Sequence, residues 1–374
     1  MDKTTQLVRA GLPIPPKKHA PGAAIHPGPV FASSFAAPGD PANSSHTYGR
    51  FHNPTWSELE SALGTLEGGI ARIFPSGMAA VTAVFAALLQ PGDTVVLPDD
   101  CYYTTRLLTR EFFATLGIHT RLAPTRNNAQ GEVLAGAKLL WLETPSNPML
   151  DLCDIAALSE AAHRHGALVA VDNTTPTALG QSPLALGANI SVASDTKSLA
   201  GHSDLILGHV AVRDAALAAK IERWRTLSGS IVGPMEAWLA LRSLSTLPLR
   251  LERQSQNAQA IAEFLTQRPE VTKVYYPGLP SHPAHALARQ QMRYYGPVVS
   301  FELAGKQAAE RFLAASRLLV EATSFGGTVS SAERRARWAA DNVSEGFIRM
   351  SAGCESIKDL LTDLTQALQA SQIG

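Results

Sequence analysis

Lys197 lies in the run Ser194-Asp195-Thr196-Lys197-Ser198, directly after the apolar stretch 189–193. A lysine at the end of a buried strand loses part of the hydration that stabilises its ammonium form, which leaves a nucleophilic amine suited to an aldehyde cofactor. The hydroxyls of Ser194 and Thr196 beside it could hold a phosphate. Upstream, the apolar run 169–171 ends in Asp172, an acid that could pair with a protonated pyridine nitrogen. A simple Asx turn into Asn173-Thr174-Thr175 is the competing reading of that aspartate. Lysine, aspartate and hydroxyls together point to a pyridoxal-phosphate (PLP) site.

Further residue groups fit the same chemistry. Ser76, Gly77 and Met78 open an Ala-rich helical stretch, and free N–H groups at such an end attract an anion; an ordinary helix cap is the alternative. Tyr48 and Arg50, in Tyr48-Gly49-Arg50-Phe51-His52-Asn53-Pro54-Thr55, offer a phenol and a guanidinium to a phosphate, or simply begin a helix at a Pro-capped loop. Arg349, in the apolar segment 347–350, needs an anion, either a substrate carboxylate or an internal acid.

These residues need a scaffold. Short apolar runs at 94–97, 138–143, 168–172, 189–193 and 205–212 alternate with helical patterns at 78–90, 103–116 and 155–165. Such alternation reads as a mostly parallel sheet covered on both faces. A broken helical region at 215–263 leads to strands at 273–276, 298–303 and 347–350 and helices at 307–318 and 357–372, an α+β pattern. The expected division is an N-terminal extended arm at 1–45, a PLP-binding large domain at 46–240 and a small domain at 241–374. Pro13, Pro15, Pro16, Pro21, Pro27 and Pro29 make the arm read as extended chain in search of a surface.

Composition narrows the partners. Of 374 residues, 45% are hydrophobic and 17% charged, which favours a large core over disorder. Lys+Arg and Asp+Glu both number 32, so no charge excess argues for nucleic acid or an anionic membrane. The three cysteines, Cys101, Cys153 and Cys354, are far apart and form neither a disulfide framework nor a metal pair. With no apolar leader after Met1 and no run long enough to span a bilayer, a cytoplasmic protein without a metal is expected.

Read in order, the blocks 5–11, 48–55, 76–80, 143–148, 171–174, 194–204 and 349–355 resemble the Cys/Met-metabolism PLP enzymes. That family includes cystathionine γ-synthase, cystathionine γ-lyase, cystathionine β-lyase, methionine γ-lyase and the O-acylhomoserine sulfhydrylases. The resemblance implies the aspartate-aminotransferase-like type I PLP fold and a homotetramer of active dimers. It makes Lys197 the Schiff-base lysine and Asp172 the pyridinium partner. Ser76, Gly77, Met78, Ser194 and Thr196 become phosphate contacts, with Tyr48 and Arg50 reaching the phosphate from a neighbouring subunit. Asn147 and Arg349 become substrate-carboxylate contacts, Asn147 also lying near the cofactor ring, and Ser324 positions the lysine or substrate. Tyr102, or else Tyr103, stacks on the ring.

The sequence departs from the family pattern at the stacking-tyrosine segment 101–106, which is one residue shorter, and in two places further on. Val329 stands where a glutamate is common, and 330–335 (Ser-Ser-Ala-Glu-Arg-Arg) replaces the usual His-Pro-Ala-rich loop. The expected substrate is a small sulfur amino acid. The favoured reaction is α,γ-elimination of cystathionine, because it needs no pocket for a second substrate. γ-Replacement by a synthase or sulfhydrylase comes next, then the β-lyase and methionine γ-lyase reactions. A catalytically silent PLP-binding regulator and a type I aminotransferase are the readings from other classes.

Overall fold

A computed structural model describes residues 2–12, 22, 24–26, 28–338 and 341–372. The apolar runs of the first half form a seven-stranded sheet: β1 (Ile70–Phe74), β2 (Thr94–Pro98), β3 (His119–Ala123), β4 (Leu139–Glu143), β5 (Leu168–Asp172), β6 (Ile190–Ala193) and β7 (Gly208–Val212). Their spatial order is β1-β7-β6-β5-β4-β2-β3. The pairs β2–β3, β2–β4, β4–β5 and β5–β6 are parallel, whereas β7 runs antiparallel to both β1 and β6. The reversal at β7 has a local cause. Residues 194–207 contain no crossover helix, and a parallel return would need one.

Helices cover the sheet: α1 (Lys3–Val8), α2 (Pro54–Glu67), α3 (Gly77–Leu88), α4 (Tyr103–Leu107), α5 (Ile155–Arg164), α6 (Thr177–Gly180), α7 (Ala215–Ser228) and α8 (Pro234–Leu244). One face packs α3 and α7 against Phe74, Val95, Trp141, Ile190 and Val210. The other packs Leu134, Cys153, Ile155 and Leu158 against Val96, Leu140, Val169 and Val171. Burial on both faces explains why β2, β4 and β6 read as unbroken apolar runs.

The long α9 (Leu247–Thr266) leads into a second sheet, formed by β8 (Lys273–Tyr275), β9 (Val298–Glu302), β10 (Val320–Glu321), β11 (Ser331–Arg334) and β12 (Phe347–Ser351) in the order β10-β11-β12-β9-β8. Only β10–β11 is parallel. Helices α10 (His285–Gln291), α11 (Lys306–Ala315) and α12 (Ile357–Ser371) complete this half, with α9, α11 and α12 sharing its core.

The structure corrects several expectations. The arm is not wholly extended: α1 is a helix capped by the Asp2 carboxylate, and its Leu7 is buried with Trp56, Leu59 and Leu63. Pro13, Pro15, Pro16, Pro21 and Pro27 lie outside the described residues. The helix expected at 103–116 is α4 followed by a π turn at Leu108–Phe112 and a 3-10 turn at Phe113–Leu116. The strand expected from 205 begins at Gly208, because the Leu207 backbone is tied to the Thr196 hydroxyl at 3.1 and 3.2 Å. Strands β1, β3, β10 and β11 were not foreseen. Arg72 interrupts β1 and pairs with Glu222, 2.8 Å away on α7, while the edge strand β3 is largely exposed and polar.

Candidate active site

Three strand ends meet at the carboxyl edge of the large sheet, where open α/β sheets place ligands. Glu143 ends β4, Asp172 ends β5 directly opposite it, and Ser194 follows β6. Together with the start of α3 and residues of the second sheet, they line a cavity of about 730 Å3. Ser76, Gly77, Met78, Tyr102, Asn147, Asp172, Ser194, Thr196, Lys197, Ser324 and Arg349 all line it.

The wall near α3 is built by close backbone approach. Ser76 is extended (φ −164°, ψ 164°), and its Oγ caps the helix by accepting the Ala79 N–H at 3.0 Å. A Cβ at Gly77 would stand 2.6 Å from the Ser194 Cβ, and one at Gly208 would stand 2.5 Å from the Ser76 carbonyl oxygen. Both glycines are therefore required to seat the helix N-terminus against Ser194 and β7. The result is a cup with helix N–H groups and the Ser194 and Thr196 side chains around it, suited to an anion.

Opposite the cup, the Lys197 ammonium donates to the Ser324 hydroxyl at 2.7 Å and lies 5.4 Å from the centre of the Phe325 ring. Burial first, then the Arg349 charge, lowers its pKa to about 8 against a smaller opposing effect from Asp172. Burial also raises the Asp172 carboxyl above its usual range, although its hydrogen bonds from Thr174 and the Lys197 charge pull the other way. The Thr174 N–H donates to Asp172 Oδ1 at 3.1 Å. The Asx turn is thus present, and the carboxylate faces the cavity as well. Arg349 has the internal acid that one of its readings called for, Glu333, and it also faces the cavity. Its Nη1 donates to Asn147 Oδ1 at 3.1 Å and its Nη2 to the Ser324 carbonyl at 2.8 Å.

Tyr102 and Tyr103 both line the cavity. The Tyr103 ring faces Arg106 at 5.7 Å, whereas the Tyr102 ring has no cation or aromatic neighbour among the described residues. The Tyr102 backbone N–H donates to Glu143 at 2.7 Å. Tyr48 and Arg50 are not brought to the cavity within one chain. Arg50 donates to the Thr226 carbonyl at 2.7 Å and stacks on Phe51 at 4.8 Å. The bland reading of their loop also holds, since Asn53 caps α2 with Pro54 at its first position.

Sequence reasoning missed Glu143 as a site residue, although it ends an apolar run in an acid just as Asp172 does. Burial first, then Asp172, raises its carboxyl well above the usual range. Thr174, Phe325, Arg335 and Trp338 also line the cavity. Behind the cup, Asp195 Oδ1 bonds His209 Nδ1 at 2.7 Å, and His209 Nε2 bonds Glu67 Oε1 at 3.0 Å, all fully buried. Both ring nitrogens face carboxylates, an arrangement that favours the doubly protonated, cationic ring. Burial opposes this, but Asp195 and Glu67 raise the His209 pKa to about 10.

A family model described as Cys/Met metabolism PLP-dependent enzyme matches residues 4–369. The chain belongs to this family. A Streptomyces coelicolor protein named "Putative cystathionine gamma-lyase" is 56% identical, the alignment covering 97% of this chain and 93% of the relative. A Mycobacterium tuberculosis cystathionine γ-synthase is 41% identical over 91% of each chain. Among solved structures, a Xanthomonas oryzae cystathionine γ-synthase in complex with aminoacrylate and cysteine superposes with a TM-score of 0.95 at 37% identity, covering 100% of this chain and 99% of the other. The fold is the type I PLP fold, and PLP is the cofactor of this Cys/Met metabolism enzyme. The cavity fits that group: a cup whose wall admits no Cβ at Gly77, a buried acid at a strand end and an amine with a lowered pKa all line it.

Proposed function

We propose that this chain catalyses α,γ-elimination of cystathionine, which with one water gives cysteine, 2-oxobutanoate and ammonia. The observation that carries the reading is the facing pair of Lys197, with its pKa lowered to about 8, and Asp172 across a cavity that also contains Arg349. The 56% identity to the Streptomyces coelicolor protein supports the choice of γ-lyase.

In this reading the α3 cup, with Ser76, Gly77, Met78, Ser194 and Thr196, holds the cofactor phosphate. Asp172 holds the ring nitrogen, Asn147 lies beside the ring, and Tyr102 covers its face. Bound PLP supplies an aldehyde for the lysine amine and an electron sink for charge developing at the substrate Cα. Arg349 and Asn147 fix the substrate carboxylate and thereby orient the Cα–H bond. Ser324 holds the Lys197 amine by the 2.7 Å hydrogen bond until substrate displaces it. The freed amine, with a pKa near working pH, removes the Cα proton and carries a proton at Cβ so that the γ-sulfur can leave.

The proposal extends to assembly and location. The protein acts as a cytoplasmic homotetramer built from dimers in which Tyr48 and Arg50 reach the neighbour's cup. That neither lines the cavity of its own chain supports this. So does a second cavity of about 980 Å3 that opens beside the first and shares Thr196, Ile206, Thr323, Ser324 and Phe325 with it. Residues 1–45 form the arm, 46–240 the PLP-binding unit and 241–374 the smaller unit, a division supported by the two separate sheets. No helix among the described residues is long and apolar enough to cross a membrane.

γ-Replacement is the second reading, favoured by the 41% identity to a cystathionine γ-synthase. One experiment separates the two. The holoenzyme is incubated with cystathionine, and separately with O-succinylhomoserine plus cysteine, and the products are identified. 2-Oxobutanoate and cysteine from the first supports the lyase. Cystathionine formed only in the second moves the assignment to the synthase, and pyruvate with homocysteine from the first moves it to β-elimination.

A further inference from the structure

The segment 330–335, which departs from the family pattern, and Arg337 and Trp338 just after it are tied to the cavity through one carboxylate. Glu333 is completely buried on β11, directly opposite Arg349 on β12. It accepts from Arg335 Nη1 at 2.7 Å, Arg337 Nη2 at 2.8 Å and Trp338 Nε1 at 2.8 Å, as well as from Arg349 Nη2. Three guanidiniums thus share one buried acid. Arg335 has a second acid in Asp341, and Arg337 a second in Glu321 at 3.2 Å. Among the described residues, Arg349 has only the shared Glu333 as an ionic partner. Its Nη2 is held from behind by Glu333 and the Ser324 carbonyl, and the one acceptor on Nη1 is the neutral Asn147 amide. Arg349 is therefore fixed in orientation and incompletely neutralised. Arg335 and Trp338, fastened by the same acid, line the same cavity.

We propose that Glu333 is a positioning residue that presets Arg349 for the substrate α-carboxylate and folds Arg335 and Trp338 over that end of the cavity. Glu333 does not line the cavity, so it acts through the groups it holds. This deepens the proposed function and rests on reading Arg349 as the carboxylate contact. Burial pushes the Glu333 carboxyl up, but Arg349, the indole N–H and Arg335 outweigh it and keep it below the usual range, so it is ionised at neutral pH.

The test titrates the PLP-loaded protein with L-alanine and with L-alaninamide, reading the change in cofactor absorbance. The two probes differ only in the carboxylate. Glu333→Gln is expected to weaken L-alanine binding about 10-fold or more, the scale of a lost charge-assisted contact. L-Alaninamide binding and cofactor affinity stay within about twofold. Glu333→Asp, which keeps the charge, serves if the amide variant does not fold, and is expected to weaken only L-alanine, by a smaller factor. An unchanged alanine-to-alaninamide ratio in a folded Glu333 variant overturns the inference. Arg349→Met separates the two levels. If it abolishes the preference for L-alanine while Glu333 variants do not, the inference fails alone. If it leaves the preference intact, the reading of Arg349 fails.

Discussion

Removing the His209 ring should reveal how much the structure behind the cup depends on one buried charge. In His209→Leu, two carboxylates that are 0% and 2% exposed lose their shared cation, and among the described residues no other donor is paired with either side chain. The step from the ordinary 6.5 to about 10 corresponds to about 5 kcal/mol of preference for the protonated ring. Breaking a buried ion pair from one side typically costs about 3–5 kcal/mol, which agrees. The sign with pH follows from the raised value. The contribution is fully present below about 6.5 and is lost as pH rises through about 10. Thermal unfolding of parent and variant, both without cofactor, should differ by roughly 5 °C or more at pH 7. The gap should close as pH passes 10. A variant that matches the parent at pH 7, or a gap that does not change with pH, would refute the claim that a buried imidazolium anchors the loop bearing Lys197.

Other outcomes follow from the cavity itself. Lys197→Ala should bind PLP without the absorbance change produced by amino-acid addition and lose activity by at least about 10³-fold, measured by product release. Asp172→Asn should weaken PLP binding by about 10- to 100-fold, the scale of a charge-assisted hydrogen bond, seen by equilibrium dialysis of the cofactor. Gly77→Ala should lose cofactor retention on gel filtration while its circular dichroism stays close to the parent's, since its Cβ would stand 2.6 Å from the Ser194 Cβ. Measured as the difference from Lys197→Ala, the cofactor-free protein should gain a stability increment between pH 8 and about 10.5. There the unfolded chain keeps a proton that folded Lys197 has released, and Arg349→Met, which removes a charge that lowers the Lys197 pKa, should narrow this window in denaturant titrations.

Much of this was readable in the chain because the large sheet is buried on both faces. Runs such as 94–97, 139–143 and 190–193 carry no outward-facing polar residue to obscure them. Strand β1 was hidden because Arg72 finds its acid on α7, 150 residues away. Strand β11 looked like a charged loop because Glu333 is buried by arginines that the sequence cannot place. Lys197, Asp172 and the Ser76 turn were legible, since each ends a strand or starts a helix where such residues stand out. The Asp195–His209–Glu67 triad left no local signal, because its three members come from a loop, a strand and a helix far apart in sequence.

The glycines at 77 and 208 have a wider consequence. Within one chain, the wall of the proposed phosphate cup is set by close backbone approach at these two positions. Arg335, Trp338 and Arg349 line the cavity from positions outside the large sheet. The wall that requires glycine and the arginine-rich wall are thus built by different stretches of chain, so a substitution in one need not disturb the packing of the other.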